Sequence, residues 1–525
     1  MNKIETLKTE RDGLEVKEMI ARYAGTGWES IPEDDVQRLK WYGLFLRNPT
    51  PGFFMIRVRI PGGRTGSYQL RALADIAGTY GNGVLDLTTR QQIQLRQIRI
   101  EDVPAVFARM DEVGLTSLQT GMDNLRGVMT CPVAGMNPDE VSDATQIVRA
   151  ITEEILGNRD YSNLPRKFNV GVTGCPDNCI HMETQDLALV PAYHDGGHGK
   201  SIGYNVLAGG KLGSGGYRIA TPLDIFVTYD DALDVCRAII QIFRDHGSRE
   251  NRTQARLAFL LDEWGESRFR QEVETRVGRT LSAAGIDMRK PSEKSHVGIY
   301  RQKQPGMNYV GLKVLVGRIQ HGDLVKIAAL AEKYGTGEIR ISPAQALIIP
   351  NVPDRKIGDL DQESVVKQFA YNPSPLYKGL VSCVGNDYCN LAVIETKSRA
   401  VEIAAKLEVA LGSAIKPITM HWSGCPAGCG NHLVAHVGLL GKKVKVDGRV
   451  VEAVDVFVGG RSGPDAKPAV KIMEDVPCEK LPLVLEGLVP FHTRDKMHRV
   501  RGGAAKKVAE NKPVRESVKS VSRVA

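Results

Sequence analysis

The chain contains an internal repeat, and this repeat restricts the fold to a duplicated architecture. Segment 55–95 and the segment that starts at Tyr309 align at an offset of about 250 residues. The matching pairs are Leu70 and Leu324, Ala74 and Ala328, Ala77 and Ala331, Tyr80 and Tyr334, Gly81 and Gly335, and Gly83 and Gly337. Each copy has the pattern of strand, turn, amphipathic helix, glycine turn and strand. We therefore expect two small α+β half-domains.

A second element repeats further along the chain. The sequence TGCPDNC at Thr173–Cys179 matches SGCPAGC at Ser423–Cys429. Thirty-four residues after the leading cysteine of each copy comes a glycine pair, at 209–210 and 459–460. The predicted order is therefore half-domain, larger domain, half-domain, larger domain.

Four cysteines of the second copy form two close pairs. Cys383 and Cys389 make a C-x5-C pair, and Cys425 and Cys429 make a C-x3-C pair. Four thiolates in two pairs suit an iron–sulfur cluster. Zinc is the rival metal, although its cysteine pairs are usually closer, and four buried structural cysteines are the remaining alternative.

The first copy keeps only part of this cysteine set. It has Cys175 and Cys179, with Cys131 as a possible third member. Alignment places the position that corresponds to Cys383 near Leu125, so no clear fourth ligand is expected. We interpret these three cysteines as relics of the duplication, although a relic does not require three of them.

The first copy instead carries a set of cations near predicted strand ends and loops. Two of them, Arg57 and Arg90, are replaced by Gly311 and Ala344 in the second copy. Arginine binds oxyanions and carboxylates through a fixed fork of donors. Any one of these side chains could be a solvated surface charge, but their joint loss from the cysteine-bearing copy predicts one active site shared between the copies. The set is Arg57, Arg59, Arg90, Arg126, Arg166 and Lys167.

Composition excludes several other classes of protein. The chain has 525 residues and nine cysteines, too few for a secreted disulfide scaffold. It has no run of eighteen apolar residues and no apolar segment near its start, so we expect a cytoplasmic protein that does not enter a membrane. The net charge of +8 is dispersed, without a nucleic-acid-binding signature, and suits an acidic partner or an anionic cofactor.

With these features, the motifs LTTRQ at 87–91 and LPRKF at 164–168 identify a family resemblance. Over about residues 20–500 the chain resembles the ferredoxin-dependent nitrite/sulfite reductases that carry sirohaem. The resemblance implies an internally duplicated α+β fold, in which two ferredoxin-like half-domains form one domain beside two larger α/β sirohaem-reductase domains. The expected division is an N-terminal extension (1–50), half-domain 1 (51–118), reductase copy 1 (119–290), half-domain 2 (297–360), reductase copy 2 (370–500) and a basic, disordered tail (501–525).

The resemblance also implies the cofactors and their ligands. Cys383, Cys389, Cys425 and Cys429 would hold a [4Fe–4S] cluster, with Cys429 bridging to the sirohaem iron. Sirohaem carries many carboxylates, and the family pattern assigns Arg90 to them, with Gln94 assisting. The residues that would face the substrate are Arg57, Arg126, Lys167 and Asn169.

Asn169 bears on the choice of substrate. Sulfite-type members of the family typically read RKFK, and nitrite-type members read RK-aromatic-N; this chain reads RKFN at 166–169. Sulfite is a dianion near neutral pH and gains from an extra cation, whereas nitrite is a monoanion to which an amide can still donate. We therefore expect nitrite, with sulfite as the alternative.

The predicted function is assimilatory reduction of nitrite to ammonium by a monomeric enzyme, with electrons from a small acidic ferredoxin and the alternative of sulfite reduction to sulfide. An external NADPH-dependent flavoprotein donor stays open. Two other classes are rivals: a related corrin-pathway monooxygenase and a non-catalytic iron–sulfur sensor. Cys236 and Cys478 are single, and we expect both to be buried without a chemical role.

Overall fold

Helices and small sheets alternate along the chain. The computed structural model describes residues 2–195, 200–213, 215–291, 293–412 and 415–500, and the following elements lie within them. The helices are α1 Lys3–Glu10, α2 Lys17–Thr26, α3 Glu33–Arg38, α4 Ser67–Thr79, α5 Val103–Asp111, α6 Thr145–Ile155, α7 Ala232–His246, α8 Leu257–Val277, α9 His321–Tyr334, α10 Ile357–Gln362, α11 Ser364–Gln368, α12 Pro375–Lys378, α13 Lys397–Leu411 and α14 Leu481–Val500. The strands are β1 Leu44–Leu46, β2 Phe53–Val58, β3 Arg64–Gly66, β4 Val84–Leu87, β5 Ile93–Arg99, β6 Val170–Val172, β7 Leu187–Asp195, β8 Lys200–Ala208, β9 Lys211–Leu212, β10 Tyr217–Arg218, β11 Thr221–Val227, β12 Ile286–Asp287, β13 Gly298–Arg301, β14 Met307–Lys313, β15 Arg318–Gln320, β16 Glu338–Ser342, β17 Ala346–Pro353, β18 Leu380–Ser382, β19 Met420–Ser423, β20 Val437–Val446, β21 Arg449–Val458 and β22 Val470–Pro477.

The two half-domains exchange strands and form one domain. One antiparallel sheet has the order β1-β2-β5-β4-β15, and the other has the order β13-β14-β17-β16-β3. Each sheet therefore takes one short edge strand from the other half: Ile319 of β15 pairs with Leu85, and Thr65 of β3 pairs with Ile339. A single apolar core runs through both halves. The prediction that the half-domains form one domain is confirmed.

Helix α4 illustrates why the repeat folds in this way. Leu70, Leu73, Ala74 and Ala77 follow helical spacing, and all four side chains are fully buried. The small alanines allow α4 to pack closely on its counterpart α9. Burying each leucine contributes about 1.5–3 kcal/mol, so the apolar stripe outweighs the weak helix propensity of the flanking residues.

The two reductase copies have related sheets. In the second copy the order is β18-β19-β20-β21-β22, with parallel pairing up to β20 and antiparallel pairing beyond it. In the first copy β6 runs parallel to β7, and the order β12-β7-β8-β11 continues antiparallel. Each copy has its own apolar core. These two domains match the predicted pair of larger α/β domains.

The sheet register corrects one sequence-based alignment. Met129 bridges Gly171 in parallel, as Val381 pairs in parallel with His421. The cysteine two residues beyond Met129 is therefore the structural counterpart of Cys383. The prediction that this position lies near Leu125 is wrong, because the segment between α5 and α6 pairs only through isolated bridges and has no strand pattern to align.

The N-terminal segment contacts both half-domain 1 and the first reductase copy, where Lys8 Nζ donates to Asp123 and to the carbonyl oxygen of Leu164. Strand β1 pairs with β2, and Ile20 and Tyr23 of α2 belong to the shared apolar core. No helix in the described ranges has the length and apolarity needed to cross a bilayer. The domain boundaries proposed from the sequence stay predictions, and the tail predicted at 501–525 lies outside the described residues.

Candidate active site

A cavity of about 540 Å³ lies where half-domain 1 meets both reductase copies. All ten residues predicted for the site line it: Arg57, Arg90, Gln94, Arg126, Lys167, Asn169, Cys383, Cys389, Cys425 and Cys429. They come from four parts of the chain that are distant in sequence. The structure therefore brings the cation set of the first copy and the cysteine set of the second copy to one place.

The cysteine loops follow the ends of two parallel strands. Cys383 comes directly after β18, and Cys425 and Cys429 come after β19, so the loops meet at one edge of the sheet. Gly385 and Gly428 have φ values of +73° and +68°, which glycine adopts without the steric cost of a Cβ atom. This backbone turns each loop sharply and directs the thiols toward the cavity.

Backbone amides already point at two of these thiols. The N–H of Gly424 donates to Cys383 Sγ at 3.1 Å, and the N–H of Leu391 donates to Cys389 Sγ at 3.4 Å. Burial raises the pKa of the Cys425 thiol to about 12. Metal binding must displace such protons, and the amide donors stabilise the resulting thiolates.

The glycine-rich turn at 209–216 packs across copies onto the cluster loop. A Cβ atom on Gly213 would lie 2.5 Å from the carbonyl oxygen of Ala427, and one on Gly428 would lie 2.6 Å from the carbonyl oxygen of Leu212. Only glycine permits this approach at both positions. Leu212 and Gly213 therefore support the C-x3-C loop of the second copy.

Arg57 and Arg126 lie side by side in the cavity wall. Their Nη1 atoms both donate to the carbonyl oxygen of Thr120, at 3.0 and 2.7 Å, and Arg126 Nη2 donates to Met122 at 2.7 Å. Their Nε atoms are buried without a partner in the described part of the chain. Burial, together with the charge of Arg90, lowers the pKa of Arg57 to about 9 and that of Arg126 well below its usual range.

Asp186 organises the opposite side of the cavity. Its carboxylate accepts two hydrogen bonds from Arg256, at 2.7 and 2.6 Å, and a third from the backbone N–H of Asn169 at 2.8 Å. Asn169 Oδ1 in turn accepts from Arg90 Nη1 at 2.6 Å. The amide of Asn169 therefore orients Arg90, and its NH2 group has no protein acceptor among the described residues.

Lys167 stands beside these arginines with an uncompensated charge. Its ammonium group makes no hydrogen bond or ion pair within the described chain, and it lines the cavity. Burial lowers its pKa well below the ordinary value, and the charges of Arg256, Arg90 and Arg126 lower it further. A bound anion would partly offset this lowering of the pKa because it would supply a negative charge beside the ammonium group.

A buried carboxylate fixes the cations nearest the cluster loop. Asp86 contacts Arg96 at 2.7 Å, Arg318 at 3.2 Å and Lys397 at 3.4 Å. Burial alone would raise the pKa of Asp86, but the three cations bring it below its usual range. Arg96 Nη2 also donates to Gln94 Oε1 at 2.5 Å, so this guanidinium orients the amide of Gln94.

Tyr388, inside the C-x5-C loop, joins the two regions. The guanidinium carbons of Arg47, Arg96 and Arg318 lie 5.3, 5.1 and 5.0 Å from the centre of its ring. Sequence reasoning missed the aromatic and its cationic partners. The available signals were the position of Tyr388 between two ligand cysteines and the two-residue spacing that puts Arg96 on the same strand face as Gln94.

Two other cations of the predicted set have different positions. Arg59 is buried and donates to four backbone carbonyls, those of Leu118, Gln119, Leu125 and Arg126. It therefore holds the loop that carries Arg126 and does not line the cavity, so its assignment to the cation set is wrong. Arg166 lines the cavity and lies 3.7 Å from the carboxylate of Asp123.

Comparisons with known proteins agree with this arrangement. Residues 121–281 match the model described as "Nitrite and sulphite reductase 4Fe-4S domain", and residues 47–113 and 300–364 match "Nitrite/Sulfite reductase ferredoxin-like half domain". The "Ferredoxin--nitrite reductase" of Synechococcus elongatus is 45% identical, covering 93% of this chain and 96% of that one. The chain belongs to the nitrite and sulfite reductase family.

Further relatives support the family assignment. The "Ferredoxin--nitrite reductase" of Leptolyngbya laminosa is 42% identical, covering 94% of this chain and 97% of that protein. The solved structure of the Mycobacterium tuberculosis NirA protein superposes with a TM-score of 0.86 at 31% identity, covering 92% of each chain. Family membership and the duplicated α+β fold are therefore confirmed.

The cofactors of the family are a [4Fe–4S] cluster and sirohaem. The side chains present fit both groups. Four thiols of two neighbouring loops open onto the cavity, and the wall opposite them carries arginines whose Nε donors lack a partner in the described part of the chain. A macrocycle with many carboxylates would supply the anions that these guanidinium groups lack.

Proposed function

We propose that this protein reduces nitrite to ammonium and two waters, taking up six electrons and eight protons. The relatives named as ferredoxin–nitrite reductases span nearly the whole chain and support this activity. The observation that carries the proposal is the convergence of Arg57, Arg126 and Lys167 in the same cavity as the four cysteines. One set suits an oxyanion and the other suits an electron-transfer cluster.

The four cysteines would hold the cluster, and Cys429 would be the thiolate shared with the sirohaem iron. Of the four thiols, Cys429 contributes an electrostatic interaction to each of Arg57, Arg90 and Lys167. It is also the most exposed of the four. Thr89, in the LTTRQ motif, donates to the carbonyl oxygen of Cys429 at 2.8 Å and would hold that sulfur in position.

Arg57 and Arg126 would bind the oxygen atoms of the substrate. Their guanidinium groups are anchored by backbone carbonyls, so little reorganisation is needed when negative charge develops on oxygen. Sirohaem, when bound, supplies the iron on which the multi-electron chemistry depends. The protein's part is to orient the anion, to exclude bulk water and to stabilise charge.

Lys167 would donate a hydrogen bond to the substrate and pass on a proton. Its lowered pKa brings the ammonium group closer to the pH at which proton transfer is efficient. Arg90, which donates to Asn169, would bind a carboxylate of sirohaem. Gln94, which pairs with Arg57 across strands β5 and β2, would assist in binding the same macrocycle.

Asn169 would favour nitrite over sulfite. Its amide is neutral, and Arg90 occupies its oxygen, so the site presents an NH2 donor without an additional cation. A dianion gains more than a monoanion from each added positive charge. Sulfite reduction is the second candidate because the remaining cations suit either anion.

The electron donor would be a small acidic ferredoxin that binds a monomeric, cytoplasmic enzyme. The names of the relatives support the donor, and the net charge of +8 favours association with an acidic protein. Raising the ionic strength should therefore lower the rate of nitrite reduction with ferredoxin as donor, but not the rate with a small viologen donor.

The test is steady-state reduction of nitrite and sulfite by purified protein loaded with both cofactors. Reduced methyl viologen and reduced ferredoxin are compared as donors, and ammonium or sulfide is measured as product. We expect kcat/KM to favour nitrite, with ammonium as the stoichiometric product. A preference for sulfite would overturn the proposed substrate while leaving the cofactor assignment in place.

A further inference from the structure

The first reductase copy contains a compact cluster of three buried thiols. The Sγ atoms of Cys131, Cys175 and Cys179 all lie within 4.8 Å of one another. In the described residues, no other group of three metal-binding side chains is this compact and buried, and the four cysteines of the second copy contain no such triple. The first-copy cysteines thus have a tighter arrangement than the four cysteines of the second copy.

These three cysteines occupy the positions of cluster ligands. By the sheet register Cys131 is the counterpart of Cys383, and the C-x3-C loops of the two copies correspond directly. The fourth cluster position falls on Asn137. Its side-chain amide donates to Cys175 Sγ at 3.0 Å and to Asp177 at 3.1 Å. Asn137 therefore supports the thiolate form of Cys175 from outside the triad.

The spacing of the thiols suits a single tetrahedral ion. With zinc–sulfur bonds of about 2.3 Å, tetrahedral geometry places two thiolates about 3.8 Å apart. A four-iron cluster holds its thiolates further apart because each one binds a different iron atom. The side chains packed around the triad are buried and mostly apolar, including Met129, Val133 and Ile348.

His296 lies beside this triad, outside the compact group of three thiols, and is the candidate for a fourth ligand. Its Nε2 atom lies 3.8 Å from Cys131 Sγ, and the imidazole is fully buried. Its Nδ1 atom is 3.0 Å from the hydroxyl of Tyr309, which lies on β14. A hydrogen bond at Nδ1 leaves Nε2 available for a metal, as second-shell partners commonly arrange for ligating histidines.

We propose that Cys131, Cys175, Cys179 and His296 bind one structural zinc ion. Binding would displace three thiol protons and requires no redox partner, because zinc stays divalent. The ion would fasten the loops of reductase copy 1 to half-domain 2, where His296 precedes β13. This site is separate from the proposed nitrite chemistry and does not depend on it.

Packing around the triad agrees with a fastening role. Arg340, on β16 of half-domain 2, donates to the carbonyl oxygens of Pro132 and Ala134 at 3.3 and 2.5 Å. Gly311 lies directly beneath the backbone of His296, where a Cβ atom would be 1.9 Å from its carbonyl oxygen. The backbone of His296 and the loop that follows Cys131 are thus both in contact with half-domain 2.

The first experiment measures zinc in the holoprotein, produced with zinc in the medium and passed through a chelator column. We expect about one zinc per chain in addition to the iron of both cofactors. X-ray absorption at the zinc edge should show three sulfur neighbours at about 2.3 Å and one nitrogen at about 2.0 Å. Absence of zinc overturns the proposal, and so does a shell of four sulfurs, which would indicate zinc on the cysteines of the second copy.

The second experiment removes one ligand and uses a matched control. Cys175→Ser should reduce zinc at least fivefold while the cluster iron stays. Cys236→Ser removes a buried thiol of the same domain, in α7, and should keep both metals. Equal zinc in the two variants overturns the proposal.

If Cys175→Ser is insoluble, the X-ray absorption spectrum of the wild-type protein at the zinc edge tests the proposal without a variant. Thiol alkylation of denatured, unreduced protein adds an independent check: all three cysteines should be alkylated. A disulfide among them would also overturn the proposal.

Discussion

The two C-x3-C loops of this protein have the same backbone design and different surroundings. The loop of the second copy opens onto a cavity lined by arginines, and its thiols are partly accessible. The loop of the first copy lies in an apolar cluster, with Cys175 fully buried. The duplication therefore supplied two equivalent loops, and the residues that face them determined which loop can hold a large cofactor.

Strands β2 and β14, which are repeat counterparts, account for the different surroundings of the two loops. On β2, Met55 and Arg57 line the open cavity. Their repeat counterparts on β14 are Tyr309 and Gly311, and Tyr309 fills the corresponding space with its ring against the apolar cluster. Loss of a cation and gain of an aromatic closed one site, while the other kept its charge. Among the described residues, this exchange leaves the cavity beside the second-copy loop open and charged and places an aromatic ring beside the first-copy loop.

The largest expected effect comes from removing Arg126, a buried cation that lines the open cavity. Arg126→Gln should lower kcat/KM for nitrite by about 10²–10³, as the loss of a preorganised donor to developing charge does. Lys378, its counterpart by register, contacts Tyr300 at 3.5 Å and serves as the control. Lys378→Gln should change kcat/KM by less than about twofold, and equal losses in both variants would refute the asymmetry.

The pH dependence of nitrite reduction should identify Lys167. The protonated ammonium attracts the anion, so kcat/KM should fall as pH rises through the pKa of Lys167. Because burial and Arg256 lower that pKa, the fall should begin below the ordinary lysine value of about 10.4. Lys167→Arg should move the fall to higher pH, and an unchanged profile in that variant would remove Lys167 from the proposed mechanism.

Asn169 should set the preference between the two anions. Asn169→Lys adds a cation and removes the acceptor for Arg90. We expect the ratio of sulfite to nitrite kcat/KM to rise about tenfold, which corresponds to about 1.4 kcal/mol. Asn169→Gln keeps the amide and should leave the ratio within about twofold. No change in the ratio for the lysine variant would show that charge at this position does not select the substrate.

Substitutions beside the first-copy loop should change the free energy of unfolding and not the rate of nitrite reduction. Gly311→Ala places a Cβ atom against the carbonyl oxygen of His296 and should lower the free energy of unfolding by about 1–3 kcal/mol. Gly358, in α10, has open space around its Cα atom, so Gly358→Ala is the matched control with little or no loss. Thermal unfolding followed by calorimetry compares them, and equal transition temperatures would contradict the packing described here.

Much of this organisation is predictable from the sequence. The repeat predicted the two half-domains, since matched apolar and glycine positions specify the same helix and turns twice. The exchange of β3 and β15 between sheets was not predictable, because three-residue strands carry no periodic signal. Cys131 was aligned incorrectly for a similar reason: its segment pairs through isolated bridges, so only the three-dimensional register reveals its counterpart.

The residues of the site likewise include some that the sequence predicted and some that it did not. Residues within motifs, such as Arg90 and Lys167, were predicted and line the cavity. Asp86 and Arg256 were missed because most of their partners are distant in sequence, and a buried ion pair leaves no local pattern. Arg59 was grouped with the first-copy cations because charge alone does not distinguish an arginine that binds backbone carbonyls from one that faces an anion.

The most direct test of the asymmetry between the two loops is the iron and acid-labile sulfide content of protein purified without oxygen. Wild-type protein should contain about five iron and four sulfide per chain, from one [4Fe–4S] cluster and one sirohaem. Cys425→Ser should lose the cluster iron and sulfide, and Cys175→Ser should retain both. Loss of the cluster in Cys175→Ser, or about nine iron per wild-type chain, would contradict the account.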